Sequence, residues 1–281
     1  MSRAVKLRLA FGTDPGLQRQ ENEDSVLVWK EKAGVDALLV VCDGMGGHAA
    51  GRLASSIAVE TFASTLAGDG GKGADPNRLR EASIRTNTAV HMASMENPEW
   101  QGMGSTLTVV AIEGSKLALV NVGDSPAYLF RDGKYRLISQ DHSWPAEQVR
   151  LGVIKPEDAK DHPMKHRLTR AIGVWDQIAS FTDVIDLQPG DSVVLCSDGV
   201  ETAGVSVEEM WAMLTEGSLE DGIRKVIDRC RELGAPDNVT VAVATVEGER
   251  DRDRMRLDRI GKTQVLSIKT VTMPKLKAPE D

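Results

Sequence analysis

The chain has 281 residues, of which 34 are Lys or Arg and 42 are Asp or Glu, so its formal net charge is −8. This length is enough for one large domain with a sizeable core, and the acidic balance argues against a general nucleic-acid binder. Three cysteines without CxxC spacing argue against a disulfide scaffold, and no apolar stretch approaches the ~20 residues that span a bilayer. We therefore expect a cytoplasmic protein without a signal peptide or membrane insertion.

The first third of the chain predicts three strands followed by two long helices. The strand-like runs lie at 5–12, 25–30 and 37–42, and the first of them alternates apolar and polar residues as a half-buried strand does. The helices are expected at 49–67 and 76–95. The glycine-rich stretch between these helices indicates a flexible connection.

The remainder predicts hairpins, an insertion and a second pair of helices. Further strands are expected at 105–112, 116–122, 126–131, 135–139, 180–187, 192–196 and 239–246. Gly114-Ser115 and Asp132-Gly133 mark two of the hairpin turns. Residues 144–172 are polar and irregular, which indicates a flap. Helices are expected at 206–215 and 219–233, the former with a capping-box spacing between Ser206 and Glu209.

Many hairpin-linked strands combined with pairs of helices predict a mainly antiparallel α+β domain rather than alternating βαβ units. We expect this domain to cover residues 1–248. From residue 249 the sequence becomes rich in alternating acidic and basic residues, and its end is rich in Pro and Lys. Residues 249–281 are therefore expected to form a charged, flexible tail.

Four acidic clusters, each beside a strand-like run, point to the chemistry. They are Asn22-Glu23-Asp24, Asp43-Gly44, Ser197-Asp198-Gly199 and Pro236-Asp237-Asn238. Any one of them alone is most often a turn. Together they predict an oxygen-rich cage for Mg²⁺ or Mn²⁺. The five histidines show no HExxH or HxH spacing, which disfavours a zinc enzyme.

The ordered set of motifs between Leu9 and Val246 resembles a known family. The motifs are Thr13-Asp14-Pro15-Gly16 with Arg19, the four acidic clusters, Met103-Gly104-Ser105-Thr106-Leu107, Asn121-Val122-Gly123-Asp124-Ser125, Gln140-Asp141-His142-Ser143 and Leu168-Thr169-Arg170-Ala171-Ile172-Gly173. In this set the chain resembles the bacterial metal-dependent protein serine/threonine phosphatases of the protein phosphatase 2C family. The resemblance implies a four-layer α-β-β-α sandwich with two mainly antiparallel sheets.

The resemblance also implies two Mn²⁺ or Mg²⁺ ions. Asp43 would bridge them, Asp198 and Asp237 would complete one metal site, and Glu23 with the backbone carbonyl of Gly44 would complete the other. A water held between the ions would attack the phosphorus of phosphoserine or phosphothreonine. The implied partners are phosphorylated proteins, among them a Ser/Thr kinase and the substrates of that kinase.

Five further roles follow from the same resemblance. Arg19 would bind the phosphate with its planar fork of donors. Asp124 would help to hold a third, weaker metal ion, and Asp24 and Asn238 would support the ligands from behind. His48 would act as a general acid towards the leaving oxygen, or else be a hydrogen-bonded residue at a helix start.

The sequence also leaves alternative interpretations open for single residues and for the function. Pro126 stands where family members usually have arginine, which puts the geometry near Asp124 in doubt. His142 is read as structural, and His162 and His166 as surface residues of the flap, with contact to substrate as the alternative. The rival functions are a catalytically silent phosphopeptide-binding module of the same fold and a dinucleotide site at the glycine-rich turn after Asp43. The second is disfavoured because Asp43 would repel a pyrophosphate.

Overall fold

The structure is a computed structural model that describes residues 6–71, 73–159 and 161–248. The strands are β1 (Leu7–Asp14), β2 (Asp24–Lys32), β3 (Val35–Met45), β4 (Gly104–Ser105), β5 (Leu107–Glu113), β6 (Lys116–Val122), β7 (Ala127–Arg131), β8 (Lys134–Leu137), β9 (Phe181–Asp186), β10 (Ser192–Cys196) and β11 (Val239–Val246). The helices are α1 (His48–Gly68), α2 (Pro76–Glu96), α3 (Trp144–Arg150), α4 (Pro156–Ala159), α5 (Gly199–Thr202), α6 (Val207–Leu214) and α7 (Leu219–Glu232), with a 3₁₀ turn at Pro98–Trp100.

The strands form two sheets whose named pairs are all antiparallel. Sheet A has the order β1-β11-β10-β7-β8, and sheet B has the order β2-β3-β5-β6-β9 with the short β4 paired to β3. Apolar side chains of both sheets meet in one buried layer between them. Helices α1 and α2 cover the other face of sheet B, and α5, α6 and α7 cover that of sheet A. The predicted four-layer sandwich is confirmed.

Strand β11 shows why these layers form. All eight of its residues are buried. Ala242 and Ala244 join the layer between the sheets, whereas Val241 and Val243 pack against the helices. A strand with both faces covered can be apolar throughout, because neither face meets water.

Most predicted elements lie within a few residues of the observed ones. Outside the flap, three short elements were not predicted, namely β4, α5 and the 3₁₀ turn, and the flap itself contains the short helices α3 and α4. The cap of α6 is confirmed, since Ser206 Oγ accepts from Glu209 N at 3.1 Å. The Glu209 carboxylate, however, accepts from Arg229 Nε at 2.7 Å, so this carboxylate is held by α7.

The described residues all belong to one compact unit, Met1–Gly248. Within it, no described helix combines the length and the apolar character that crossing a membrane requires. The expected tail at residues 249–281 lies outside the described residues, so its character stays a prediction.

Candidate functional site

The predicted acidic residues come together at one end of the sandwich, where strands of both sheets begin or end. Asp24 begins β2 directly opposite Asp43 of β3. Asp124 lies between β6 and β7, Asp198 follows β10, and Asp237 precedes β11. We call these five side chains the carboxylate cluster. Residues more than 200 positions apart thus share one site because antiparallel strands start and end at the same edge.

Burial and mutual repulsion make the charges of the cluster costly. Burial, and then the charges of Asp24 and Asp198, raise the pKa of Asp43 well above its ordinary value. Burial and then Asp198 raise the pKa of Asp124 to about 8. The pKa of Asp198 is raised by burial and then by Asp237, although a hydrogen bond with Asp43 opposes the rise. Cations bound among these carboxylates would relieve both effects.

Asp24 provides a direct sign that a further partner fits here. Its side chain is buried, and its Oδ1 has no hydrogen-bond partner among the described residues. Oδ2 accepts from Ser197 Oγ at 2.7 Å, and Ser197 Oγ itself accepts from Thr240 N at 3.1 Å. Burial raises the pKa of Asp24 to about 7. A buried acceptor without a partner is rare in proteins unless water or an ion satisfies it.

The donors of the cluster are all oxygens, which is the set that Mg²⁺ and Mn²⁺ prefer. Within the described residues, no three His, Cys, Asp or Glu side chains are already spaced to hold an ion. Repulsion between neighbouring carboxylates opposes such a close approach. The residues thus fit hard cations by their chemistry and by their placement at one end of the sandwich.

Asn238 joins the two sheets beside the cluster. Its Oδ1 accepts from Glu23 N at 2.8 Å, while its Nδ2 donates to the carbonyls of Pro15 and Glu21 at 2.9 and 3.0 Å. These three bonds fix the segment that carries Glu23 against the start of β11. The amide is buried, so each bond is protected from competition with water.

Two glycines allow α1 to approach β3 closely. Gly44 N donates to the carbonyl of Glu23 at 3.2 Å. A Cβ on Gly44 would lie 2.0 Å from the Gly51 carbonyl oxygen, and a Cβ on Gly51 would lie 2.8 Å from Glu23 Oε2. The Glu23 carboxylate therefore lies against the first turn of α1. Gly51 lies in none of the sequence motifs, because only the contact across the fold reveals its role.

Thr106, which lies between β4 and β5, holds the backbone of Asp43. Asp43 N donates to Thr106 Oγ1 and Thr106 N donates to the Asp43 carbonyl, both at 2.8 Å. Thr106 Oγ1 also lies 2.7 Å from Ser125 Oγ. These residues appear in the sequence motifs, but no local pattern predicts contacts across more than sixty residues of chain.

Arg19 lies at the open side of the cluster. Its Nη2 donates to Asp237 Oδ2 at 2.8 Å, and its side chain is 48% exposed. A half-exposed guanidinium beside the partly buried Asp237 carboxylate can reach both the cluster and an anion that arrives from solvent.

Comparison with known proteins identifies the family. The family described as Protein phosphatase 2C matches residues 16–235 of the chain. The chain belongs to the protein phosphatase 2C family. This result confirms the resemblance that the sequence motifs carry.

Relatives and solved structures give the same assignment. The chain is 36% identical over 241 residues to the serine/threonine protein phosphatase PstP of Mycobacterium tuberculosis, an alignment that covers 85% of this chain and 45% of that protein. It is 34% identical to the serine/threonine phosphatase stp of Listeria welshimeri, covering 82% of this chain and 92% of the relative. The catalytic domain of PstP in complex with two manganese ions superposes with a TM-score of 0.74 at 35% identity, covering 86% and 99% of the two chains. The chain thus spans about half the length of the mycobacterial relative.

Pro126 lies two residues after Asp124, at the position where the resemblance implies an arginine. Its carbonyl accepts from Cys196 N at 3.1 Å, so the approach of β7 to β10 continues through this position. His142 lies behind the same loop and is completely buried. Its Nδ1 accepts from Gly123 N at 3.1 Å, which places this ring in a structural position next to Asp124.

The other histidines differ in their distance from the cluster. The backbone of His48 begins α1, and its side chain lies outside the described part of the structure, so neither reading of its role is tested. His162 packs its ring against Trp144, with centroids 4.9 Å apart. His166 is exposed in the flap, and its charge lowers the pKa of Asp198 against the larger effect of burial. His166 is therefore the flap histidine within electrostatic reach of the cluster.

Proposed function

We propose that this chain hydrolyses phosphoserine and phosphothreonine in proteins and that it requires Mn²⁺ or Mg²⁺. The observation that carries the proposal is the gathering of five carboxylates at one end of the sandwich. Burial raises the pKa of four of them, Asp24, Asp43, Asp124 and Asp198, and neighbouring carboxylates raise it further, so their charges are costly without cations. Membership of the protein phosphatase 2C family gives this site its chemical class.

The proposed ligands follow the positions of the cluster. Asp43 would bridge two ions, with Asp198 and Asp237 on one of them and Glu23 and the Gly44 carbonyl on the other. Asp43 is central to this arrangement because the charges of Asp198 and Asp237 both act on its pKa. Asp124 would hold a third, weaker ion from the β6–β7 loop, since its pKa responds to Asp198.

The bound ions would supply Lewis acidity, lowering the pKa of a water and neutralising charge that develops at phosphorus. The chain's own residues would do the rest. Arg19 would orient the phosphate, because its fork of donors matches two phosphate oxygens. Asp24 would hold Ser197, and through it the turn that carries Asp198. His48, at the start of α1, is the candidate proton donor to the leaving oxygen.

The flap is the proposed determinant of substrate choice. It carries Leu151 and Val153, both more than half exposed, and His166 near Asp198. An irregular insertion beside a rigid site is well placed to contact the residues around a phosphate. The natural substrates would be phosphoproteins, and the chain would reverse the action of a Ser/Thr kinase.

A catalytically silent phosphopeptide-binding module is the weaker candidate. Every proposed ligand position holds a residue that is able to bind a metal ion. A silent module would not require the costly burial of several acidic side chains at one point.

The test is hydrolysis of a phosphothreonine peptide by the full chain with Mn²⁺, with Mg²⁺ and with EDTA. We expect phosphate release with either metal and none with EDTA. Asp43→Asn and Asp198→Asn should abolish release, whereas Asp228→Asn, which removes an exposed carboxylate on α7, should leave it unchanged. Peptide binding without phosphate release by folded protein under both metals would favour the silent module instead.

A further inference from the structure

Within the described residues, sheet A ends in a short strand that is paired on one side and has an open edge on the other. β8 pairs with β7 on one side and is the last strand in the order of the sheet. All four of its residues, Lys134–Leu137, are exposed. An open edge presents backbone N–H and C=O groups to which a further strand can bond.

The hairpin geometry determines which groups point outward. Asp132 and Gly133 form a two-residue turn with φ values of 51° and 72°, and Arg131 is paired with Lys134 across it. In such a hairpin the residues next to the turn bond to each other, and bonded and non-bonded pairs then alternate along the strands. The backbone groups of Tyr135 and Leu137 are therefore the ones that face the open edge.

An aromatic cleft adjoins this edge on the helix side of the sheet. Its volume is about 470 Å³, and it is lined by Phe130, Gly133, Lys134, Tyr135, Glu208 and Trp211. Phe130 and Trp211 stack with centroids 4.1 Å apart. Tyr135 donates its hydroxyl to Glu208 Oε1 at 2.7 Å, so this wall of the cleft is also held in place. The cleft is formed before any partner arrives, which lowers the entropic cost of binding.

Two positive charges, Lys134 and Arg136, alternate with Tyr135 along β8, which places them on the other face of the strand, and Lys134 also borders the cleft next to the turn. Lys134 is opposite Arg131 and Arg136 is opposite Leu129, whereas Tyr135 is opposite Phe130 on the helix side. Among the described residues, neither Lys134 nor Arg136 has an ion pair or a side-chain hydrogen bond. Two adjacent unpaired cations on a chain with a net charge of −8 are a feature that an acidic partner can use.

These charges disfavour a second copy of the chain as the partner. Side chains that lie directly opposite each other on paired strands are on the same face of the sheet. If the β8 strands of two copies paired, their charged faces would therefore lie on the same side of the joined sheet. In the two-fold register centred on Tyr135, Lys134 of each copy would lie opposite Arg136 of the other. Like charges directly opposite each other destabilise a strand pair.

We propose that the edge of β8 docks an extended segment of a partner protein in which acidic and apolar residues alternate. The backbone of this segment bonds to Tyr135 and Leu137 as an added antiparallel strand. Its carboxylates lie opposite Lys134 and Arg136, and its apolar side chains enter the aromatic cleft.

The aromatic cleft lies at the end of sheet A remote from the carboxylate cluster. The cleft is near the end of β7, where Phe130 is paired with Ser192 at the start of β10. Asp124 precedes the start of β7, and Asp198 follows the end of β10, so both lie at the opposite end of this strand pair. Docking therefore does not depend on the proposed hydrolysis, and each can fail without the other.

The test uses fluorescence anisotropy with the full chain and a labelled ten-residue peptide in which Glu alternates with Phe or Leu. Two control peptides are a version of the same composition with the Glu residues grouped and a version with Lys in place of Glu. We expect the alternating acidic peptide to bind, and Lys134→Glu with Arg136→Glu to weaken this binding at least roughly tenfold, since two attractions become repulsions. The same double variant should gain affinity for the Lys peptide.

The double variant is suited to this test because both side chains are exposed and unpaired, so the fold should tolerate it. Turnover of a small phosphate ester and circular dichroism check its fold. Equal binding of the alternating and grouped peptides, or no loss in the double variant, would overturn the proposal. So would association of two copies of the chain through β8, seen by sedimentation and abolished by the same substitutions.

Discussion

Gly51→Ala is the substitution that most directly probes how the fold holds Glu23. The new methyl would lie 2.8 Å from Glu23 Oε2 and 2.9 Å from the Gly44 carbonyl oxygen. The first contact is about 0.6 Å shorter than ordinary contact at 3.4 Å. The carboxylate is the flexible partner and should move, whereas the backbone of Gly44 resists. A binding site tolerates displacements of only ~0.5 Å, so a ligand moved by more than this loses its geometry.

The expected effect on stability is small and the effect on metal binding is large. Alanine gains ~1 kcal/mol of helix propensity over glycine, and overpacking costs ~1–3 kcal/mol, so the free energy of unfolding should fall by about 0–2 kcal/mol. Affinity for Mn²⁺ should fall at least roughly tenfold, which is the usual effect of losing a contact that holds a metal ligand in place. Urea denaturation and isothermal titration calorimetry measure the two effects.

Gly68→Ala is the matched control at the other end of the same helix. A Cβ there would meet nothing within 4 Å, so this variant should keep its Mn²⁺ affinity and be equally or more stable. If Gly51→Ala bound Mn²⁺ as tightly as the wild type, Glu23 would not be a ligand held against α1, and the reasoning from this contact would be refuted.

Three further predictions test the surroundings of the site. Burial, and then the charge of Arg170, lower the pKa of His142 to about 4 from an ordinary value of 6.5. As the pH falls, His142 therefore binds a proton in the unfolded chain before it does so in the folded chain. Up to about 3 kcal/mol of stability should be lost between pH 6.5 and pH 4. His142→Asn keeps an acceptor for Gly123 N without titrating, and denaturation curves that ran parallel to the wild type across this range would contradict the assignment. Arg131→Ala removes the two bonds at 2.6 and 2.9 Å from Arg131 to the buried Asp191 carboxylate, which keeps the bond from Gln188 N, and should cost about 3 kcal/mol. Arg224→Ala at an exposed pair should cost under ~0.5 kcal/mol, and equal losses in urea would refute this. Arg19→Ala should raise KM for phosphate esters roughly tenfold with a smaller effect on kcat, and an unchanged KM in steady-state assays would remove Arg19 from phosphate binding.

The sequence predicts the buried strands well because a buried strand is a continuous run of mainly apolar residues. β10 and β11 have the predicted bounds, since both are mainly apolar and all of their residues are buried. β3 was predicted to end at Cys42 and continues to Met45, because Gly44 and Met45 pair with the short β4 about sixty residues later. A pairing of this kind depends on how the chain folds back, which no local pattern of residues records.

The candidate site also has a part that the sequence predicts and a part that it does not. The motifs predict which acidic residues matter, and the structure brings five of them to one end of the sandwich. The contacts that hold them could not be predicted. Thr106 on the Asp43 backbone and Arg19 on Asp237 each join residues that are far apart in the sequence. The identity of a ligand follows from its chemistry, whereas its support depends on the neighbours that the fold supplies.

The central claim is that the carboxylate cluster binds the metal ions on which hydrolysis depends. The most direct measurement is calorimetric titration of the full chain with Mn²⁺, for the wild type, Asp43→Asn, Asp198→Asn and the exposed control Asp228→Asn. We predict that the first two substitutions weaken Mn²⁺ binding at least roughly hundredfold, since losing a ligand costs more than losing its support, while the control binds as the wild type does. Wild-type affinity in folded Asp43→Asn and Asp198→Asn would contradict the account.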